Sequence, residues 1–400
     1  MLGRYGLIVR RLLVLVSSIV FVDTMLFGAL APLVPGYADE FGLSKSGAGL
    51  LVGAFGAGAV LGGIPGGIAA MKFGPKRAVV FGLVLLGLAS FGFALAGGAW
   101  ALGLARFVQG FSSTITWAGA LAWLTVAAPR SRRGELIGIA FGAAVFGAII
   151  GPMFGAVADA VSIRGTFGAV GLIALGLAGW SASRPSAAAD PHEPASLLLA
   201  LRDRRFLGGL WLNALPAMLF GVLVVLAPLS LDDAGFGALA IGLVFFGAGL
   251  AETVANPLLG RFSDRRGRLL PIRLALAASV LVAAGFAFAS RPALVVALIV
   301  LAAISFGGFY TPGMALVSDR AESVGLAQAL GFGIMNTAWA LGNMTGPVAG
   351  GKLADLAGDA LPYLLAAGLC MLTLVATFRR PESARAPTGH PADASGSSPR

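Results

Sequence analysis

Polar and apolar positions along the chain fall into long blocks: apolar runs of about twenty residues recur, each closed by a charged or Gly- and Pro-rich break. A bilayer core of about 30 Å needs roughly 20 mainly apolar residues per helix, so each block is an expected membrane span. The breaks give helices near 12–36, 47–70, 78–96, 99–127, 135–160 and 166–182, then near 206–230, 238–260, 269–289, 293–317, 326–354 and 361–378. Between the two sets lies "SRPSAAADPHEPASLLLALRDRR", a polar linker with three prolines. The segment after Phe378 is rich in Pro, Ser and Ala and is expected to be disordered. Arg10 and Arg11 precede the first apolar run, which is too long for the h-region of a signal peptide and is read as a mature helix.

The two sets repeat one another. "MLFG" at Met25 returns at Met218, "FGLS" at Phe41 returns as "FGAL" at Phe236, and "GPMFGAVAD" at Gly151 returns as "GPVAGGKLAD" at Gly346. Three matches at nearly one offset, each in the corresponding span, indicate duplicated halves. Repeats of this kind place a substrate site between the halves near the bilayer midplane. The fold expected is an all-α membrane protein: twelve transmembrane helices in two pseudo-symmetric six-helix bundles around a central cavity. The bundles occupy 1–182 and 206–378, the linker 183–205 and the tail 379–400.

Composition agrees with the pattern. Hydrophobic residues make up 58% of the 400 and charged residues 12%, too few charges to cover a globular surface in water. The 59 glycines are about twice the usual share and suit close helix packing in lipid. The net charge of +10 is a matter of topology. Of 28 Lys and Arg, 23 fall in the loops and termini on one side, 4 on the other (Lys45, Arg164, Arg291, Lys352), and Arg106 within a span. The positive-inside rule then puts both termini in the cytoplasm and leaves no basic patch suited to nucleic acid. The single cysteine, Cys370, excludes an internal disulfide. No P-loop, metal cluster or nucleophile–base set is present, so neither an enzyme nor a cofactor is expected.

Several motifs carry a family resemblance. "GRFSDRRGR" (Gly260–Arg268) matches the G-x-L-x-D-R-x-G-R loop of the major facilitator superfamily, while its first-half counterpart "GIAAMKFGPK" has Met71 in place of the aspartate. "RFVQG" (Arg106–Gly110), "GAIIGPMFGA" (Gly147–Ala156) and "DTMLFGALAPLVP" (Asp23–Pro35) resemble motifs of helices 4, 5 and 1 in the twelve-span drug:proton antiporters of that superfamily. The resemblance covers about residues 10–380. It implies a secondary transporter of a bacterial inner membrane, exporting small amphipathic or cationic molecules against protons by alternating access, with the bilayer as its surroundings and a monomer as its state. A sugar, amino-acid or metabolite exporter, or a proton symporter, of the same superfamily is an alternative. So is a receptor or assembly factor that has lost transport.

Three ionisable residues lie well within spans: Asp23, Arg106 and Glu252. Such groups cost at least ~2.5–3.5 kcal/mol at midplane and mark a pathway or a partner. Asp23 lies ~16 Å up helix 1 and Arg106 ~10 Å down helix 4 from opposite faces. In a ~30 Å core these depths nearly coincide, so the two are expected within reach of each other, as a structural ion pair or as a titrating pair. Asp23, Arg106 and Glu252 are the candidates for proton coupling. Asp23, Phe27, Trp117, Asn213, Phe220, Tyr310, Asn336 and Trp339 are the candidates for a substrate site with aromatic walls, few amides and an acid. Gating candidates come from the loop and the small-residue stripes. Gly260, Asp264, Arg265, Gly267 and Arg268 would form a latch, Asp264 facing the helix 5 N-terminus near Gly134. Gly147, Gly151, Pro152 and Gly155 on helix 5, with Gly346 and Pro347 on helix 11, would form sliding or sealing surfaces.

Overall fold

The computed structural model describes residues 2–129, 132–185, 202–267, 269–323 and 328–378. Regular structure among these residues is helical. The first half contains α1 (Leu2–Gly28), a 3-10 turn (Ala31–Leu33), α2 (Val34–Phe41), α3 (Lys45–Phe73), α4 (Pro75–Ala94), α5 (Ala99–Ala127), α6 (Arg133–Val161) and α7 (Ile163–Ala182). The second contains α8 (Arg204–Asp233), α9 (Ala238–Arg266), α10 (Leu269–Ala287), α11 (Pro292–Gly307), α12 (Tyr310–Ser323), α13 (Gln328–Ala357) and α14 (Ala360–Phe378). Each expected span falls on one of these helices or on a broken pair.

Among the described residues nine segments are long and apolar enough to cross a membrane, α1 and α2 being counted together. The expected spans outside that set fall on α5, α11–α12 and α13. The first and last carry interior polar groups (Arg106, Gln109, Ser112 and Ser113 on α5; Asn343 on α13), and the middle one is split.

Both breaks have a cause in the sequence. Pro32 and Pro35 have no N–H to give to the carbonyls of Gly28 and Ala31, so the first span leaves α1 through a 3-10 turn, closed by Leu33 N–H on Leu30 O at 2.9 Å. Pro312 likewise cannot bond Gly308, and the chain between α11 and α12 turns through Gly308 and Phe309. The loop motif shows the pseudo-symmetry in its backbone. Gly74 has φ +84° and Gly267 φ +82°, a left-handed conformation that a side chain would strain, at the same turn of each half.

Glycines bring backbones together within each half. On α6, Gly147, Gly151 and Gly155 lie against the carbonyls of Phe21, Met25 and Ala29 of the first span. On α13, Gly342 and Gly346 lie against the carbonyls of Ala214 and Met218 of α8. The stripes expected to slide between halves thus pack inside their own half.

The contact between halves uses other faces. Gly49, Gly53 and Gly56 of α3 meet Pro347 O, Val348 and Met344 of α13, and Gly242 and Gly249 of α9 meet Pro152 O and Ile149 of α6. Pro152 and Pro347 therefore serve both interfaces. Their rings face Gly28 and Gly221 of their own half, and their carbonyls face the other half.

A polar latch closes this end of the molecule. The Asp355 carboxylate accepts from Lys45 N–H (3.1 Å) and Ser46 N–H (2.8 Å) at the start of α3, and Lys45 Nζ pairs with Asp359 Oδ1 at 2.6 Å. Deeper in the same interface the Phe27 ring packs at a tilt against Phe55 at 5.1 Å and against Trp339 at 5.4 Å. Toward the arginine-rich end, Gly67, Gly138, Gly142 and Gly333 have open space where a side chain would stand. The structure is closed between halves at the Lys45 end.

A Cβ at Gly110 would collide with Phe55 O, a backbone atom that cannot turn away. Gly110→Ala should therefore destabilise the purified protein by about 1–3 kcal/mol. Gly67→Ala, facing open space on a helix, should be neutral or stabilising by up to ~1 kcal/mol. Thermal unfolding in detergent compares the two, and equal effects would refute the backbone contact. The latch is tested on a Cys370→Ala background carrying Val348→Cys at the seam. Asp355→Ala should raise maleimide labelling roughly fivefold, since a carboxylate at a helix N-terminus contributes up to ~1 kcal/mol. Unchanged labelling would mean that packing alone holds this end.

Candidate functional site

Asp23 points from α1 into α5, not toward lipid, and is 3% exposed. Its Oδ2 accepts from Ser113 Oγ (2.7 Å) and Trp117 Nε1 (2.8 Å), one helical turn apart on one face of α5. Oδ1 is buried without a hydrogen-bond partner. Trp117 is held from its other side by Phe141 of α6 at 5.5 Å, so the donor is fixed by packing as well as by its bond.

Arg106 interacts with Asp23 through space and not through a direct hydrogen bond. Its Nη1 donates to Leu26 O (3.2 Å) and Gln109 Oε1 (3.1 Å), and its guanidinium lies 5.0 Å from the centre of the Phe55 ring. The reason is the break after Gly28. Leu26 O belongs to the last turn of α1, whose carbonyls are freed where the helix stops, and a cation at that end is favoured by the helix dipole. Arg106 therefore caps the broken helix, and it acts on Asp23 through space. Arg106 Nε and Gln109 Nε2 are buried without partners, like Asp23 Oδ1. Three unsatisfied polar atoms in one small region are costly unless a proton, water or ligand group uses them.

Glu252 lies in the second half, on α9. It is half-buried, bonds Asn256 one turn along α9, and packs on Gly307 at the end of α11, where a Cβ would overlap Oε1. It also interacts through space with Tyr310 at the start of α12. Phe220 of α8 meets Phe306 of α11 edge-on at 5.6 Å.

The other candidates are more dispersed. Phe27 and Trp339 meet between the halves, and Asn336 lies half-buried one turn before Trp339 on α13. Asn213 is fully buried and turned back on its own helix, Nδ2 donating to Gly209 O at 2.9 Å with Oδ1 left unpaired. Gly267 is described, whereas the side-chain surroundings at Gly260, Asp264, Arg265 and Arg268, and at Gly134 opposite, lie outside the described residues. Met71 is 41% exposed.

Sequence reasoning missed Ser113, Gln109 and the Asp355 latch. Ser113 was findable, since it precedes Trp117 by one turn. Asp355 was not, because a carboxylate near a span end looks like any solvated charge.

The profile of the Major Facilitator Superfamily matches residues 16–330 and again 241–398. A chloramphenicol resistance protein of Streptomyces lividans is 29% identical over 385 residues, covering 91% of this chain and 94% of its own length. A probable vesicular acetylcholine transporter-B of Danio rerio is 30% identical over 158 residues, and there the match spans 38% of this chain and about a third (32%) of the relative. The crystal structure of the nucleoside transporter NupG superposes with a TM-score of 0.72 at 17% identity, covering 92% of this chain and 100% of that one. The profile spans most of the sequence, and a duplicated helical membrane fold underlies it: this chain belongs to the Major Facilitator Superfamily and is a multi-pass membrane transporter, not an enzyme.

Proposed function

We propose that this chain exports small amphipathic or cationic molecules in exchange for protons, with Asp23 as the proton carrier. The observation that carries this reading is the split environment of the Asp23 carboxylate. One oxygen is held by two donors, and the other is buried with nothing to bond. A proton on Oδ1 removes the charge while both donors stay on Oδ2, whose bonds weaken but keep their geometry. Arg106, tied to the end of α1 and not to Asp23, stays in place when the charge is lost. The site can therefore load and unload a proton without dismantling its frame, which a carrier requires and a static ion pair does not.

The closed Lys45 end fits one limit of an alternating-access cycle. With the arginine-rich loops in the cytoplasm, as the positive-inside rule directs, this is the state open toward the cytoplasm. There the solute would load. Opening of the Asp355 latch and of the seam between α3 and α13 would expose it to the other side. The length-wide similarity to a chloramphenicol resistance protein favours export of drug-like solutes.

The test uses purified protein in liposomes with an imposed pH gradient, and chloramphenicol and tetraphenylphosphonium as solutes. Wild type should concentrate at least one of them. Asp23→Asn should still exchange it down its own gradient but lose at least about 90% of the gradient-driven accumulation, since the proton site is gone. Full accumulation by Asp23→Asn would remove Asp23 from the coupling. Failure of the wild type with both solutes, alongside a pH-independent exchange, would refute proton-driven export of this class.

A further inference from the structure

Two neighbouring helices of the first half, α4 and α7, touch closely where Gly87 lies against Gly171 O and Leu175. Toward the arginine-rich end the same pair leaves a groove of about 540 Å³, lined by Lys76, Arg77, Val80, Phe81 and Val84 of α4 and by Ala182, the last residue of α7. Its two ends differ in chemistry. Arg77, Phe81, Val84 and Leu88 recur at helical spacing and are all exposed, so one face of α4 runs from a cation into an apolar track. In a membrane protein an exposed track of this kind borders lipid chains, which are as apolar as the side chains themselves.

The charges at the head of the groove are held in place and not neutralised. Lys76 Nζ donates to Arg184 O at 2.6 Å, just past the end of α7, which fixes the ammonium between the two helices and leaves its other donors free. Arg184 is itself tied back, its guanidinium 5.6 Å from the centre of the Trp180 ring. Arg77 is exposed and has no ion pair or hydrogen bond among the described residues. The first turn of α4 contains no acid, so its two cations oppose the helix dipole until an anion joins them. The counterpart pair of the second half, α10 and α14, uses its basic residue internally. Arg273 bonds Thr377 Oγ1 (3.2 Å) and Thr377 O (2.8 Å) and lies 4.2 Å from the centre of the Phe378 ring.

We propose that the groove between α4 and α7 binds one anionic phospholipid from the leaflet on the arginine-rich side. Lys76 and Arg77 hold its phosphate, and Phe81 and Val84 carry the first part of an acyl chain. A basic head above an apolar track complements this ligand at both ends. A guanidinium and an ammonium make charge-assisted hydrogen bonds to a phosphate, and basic pockets between membrane helices on the cytoplasmic side suit anionic headgroups. A free phosphate would leave the track unused, and a zwitterionic lipid would bring a third cation to the two already there. The site requires only that the chain be embedded in lipid. It does not rest on export or on proton coupling, so its failure would leave that reading untouched.

Native mass spectrometry of the full chain in detergent tests this, with dioleoyl phosphatidylglycerol and dioleoyl phosphatidylcholine, which share their chains and differ in head charge. The wild type should retain one phosphatidylglycerol at least about fivefold more tightly than phosphatidylcholine. Arg77→Gln leaves the Lys76 bond to Arg184 intact, and should weaken phosphatidylglycerol about fivefold and phosphatidylcholine by less than about twofold. Ala182→Phe keeps both charges but fills the groove, and should weaken phosphatidylglycerol at least about threefold. This second variant decides the matter if the first does not fold. Arg164→Gln, a cation at the opposite end of α7, should change neither lipid. Wild-type retention in both groove variants would overturn the proposal, as would a wild type that does not distinguish the two lipids. An equal loss in Arg164→Gln would also overturn it, by reducing the effect to overall charge. Displacement of phosphatidylglycerol by inorganic phosphate at constant ionic strength would assign the basic pair to a free anion and refute the lipid.

Discussion

The close approach of two pairs of helix backbones, α3 to α13 and α6 to α9, governs the rest of the structure. In lipid there is no hydrophobic drive to join helices whose backbone bonds are already satisfied, so association rests on van der Waals contact between small residues. Glycine at positions 49, 53, 56 and 242 lets the backbone at Pro347, Met344 and Pro152 approach across the boundary between halves. Such contacts are weak singly and lost together when the surfaces rotate apart. The latch of Asp355 on the first turn of α3 is of the same kind, since exposed charges at a helix end contribute only ~0.3–1 kcal/mol each. The closure is thus strong enough to define a state and weak enough to be left. Pro152 and Pro347 couple this interface to the interior, because each presents its ring to its own half and its carbonyl to the other.

Inside each half the decisive feature is a helix that stops. The stop exposes carbonyls in a medium that offers them no water, and whatever meets them acquires a definite charge preference. In the first half that demand is met by Arg106, which frees Asp23 to bond Ser113 and Trp117 and to keep one oxygen open. In the second half Glu252 packs beside Gly307, the last residue before the break. The duplication supplies the same frame twice, with different charges set into it.

Much of this was legible in the sequence. Span positions follow from apolar runs, and the duplication follows from matched segments such as those at Gly151 and Gly346. Asp23 and Glu252 stand out because a carboxylate in an apolar helix is costly. Asp23 and Arg106 interact through space while Arg106 spends its hydrogen bonds elsewhere, for a specific reason. Depth along a helix is a one-dimensional quantity, whereas bonding depends also on which way each side chain faces and on competing acceptors. The competitor, Leu26 O, exists only because Pro32 and Pro35 end the helix, and the tertiary position of that free carbonyl cannot be read from local pattern. The stripe at Gly147, Gly151 and Gly155 was read as a sliding or sealing surface, but a stripe does not name its partner. It packs on the first span of its own half. The Asp355 latch joins residues some three hundred positions apart, where periodicity carries no information.

Alternating access requires the two halves to close at one end while they separate at the other. Double-label electron spin resonance on α3 and α13, the rods that cross between halves, tests it most directly. On a background lacking Cys370, one label pair would be placed at Leu50 and Leu356 near the Lys45 end, and another at Met71 and Gly333 toward the arginine-rich end. On adding solute or changing pH, the account predicts distance populations that move oppositely, one pair lengthening as the other shortens. Two pairs that stay fixed, or that lengthen together, would contradict alternating access and leave the glycine seam as permanent packing.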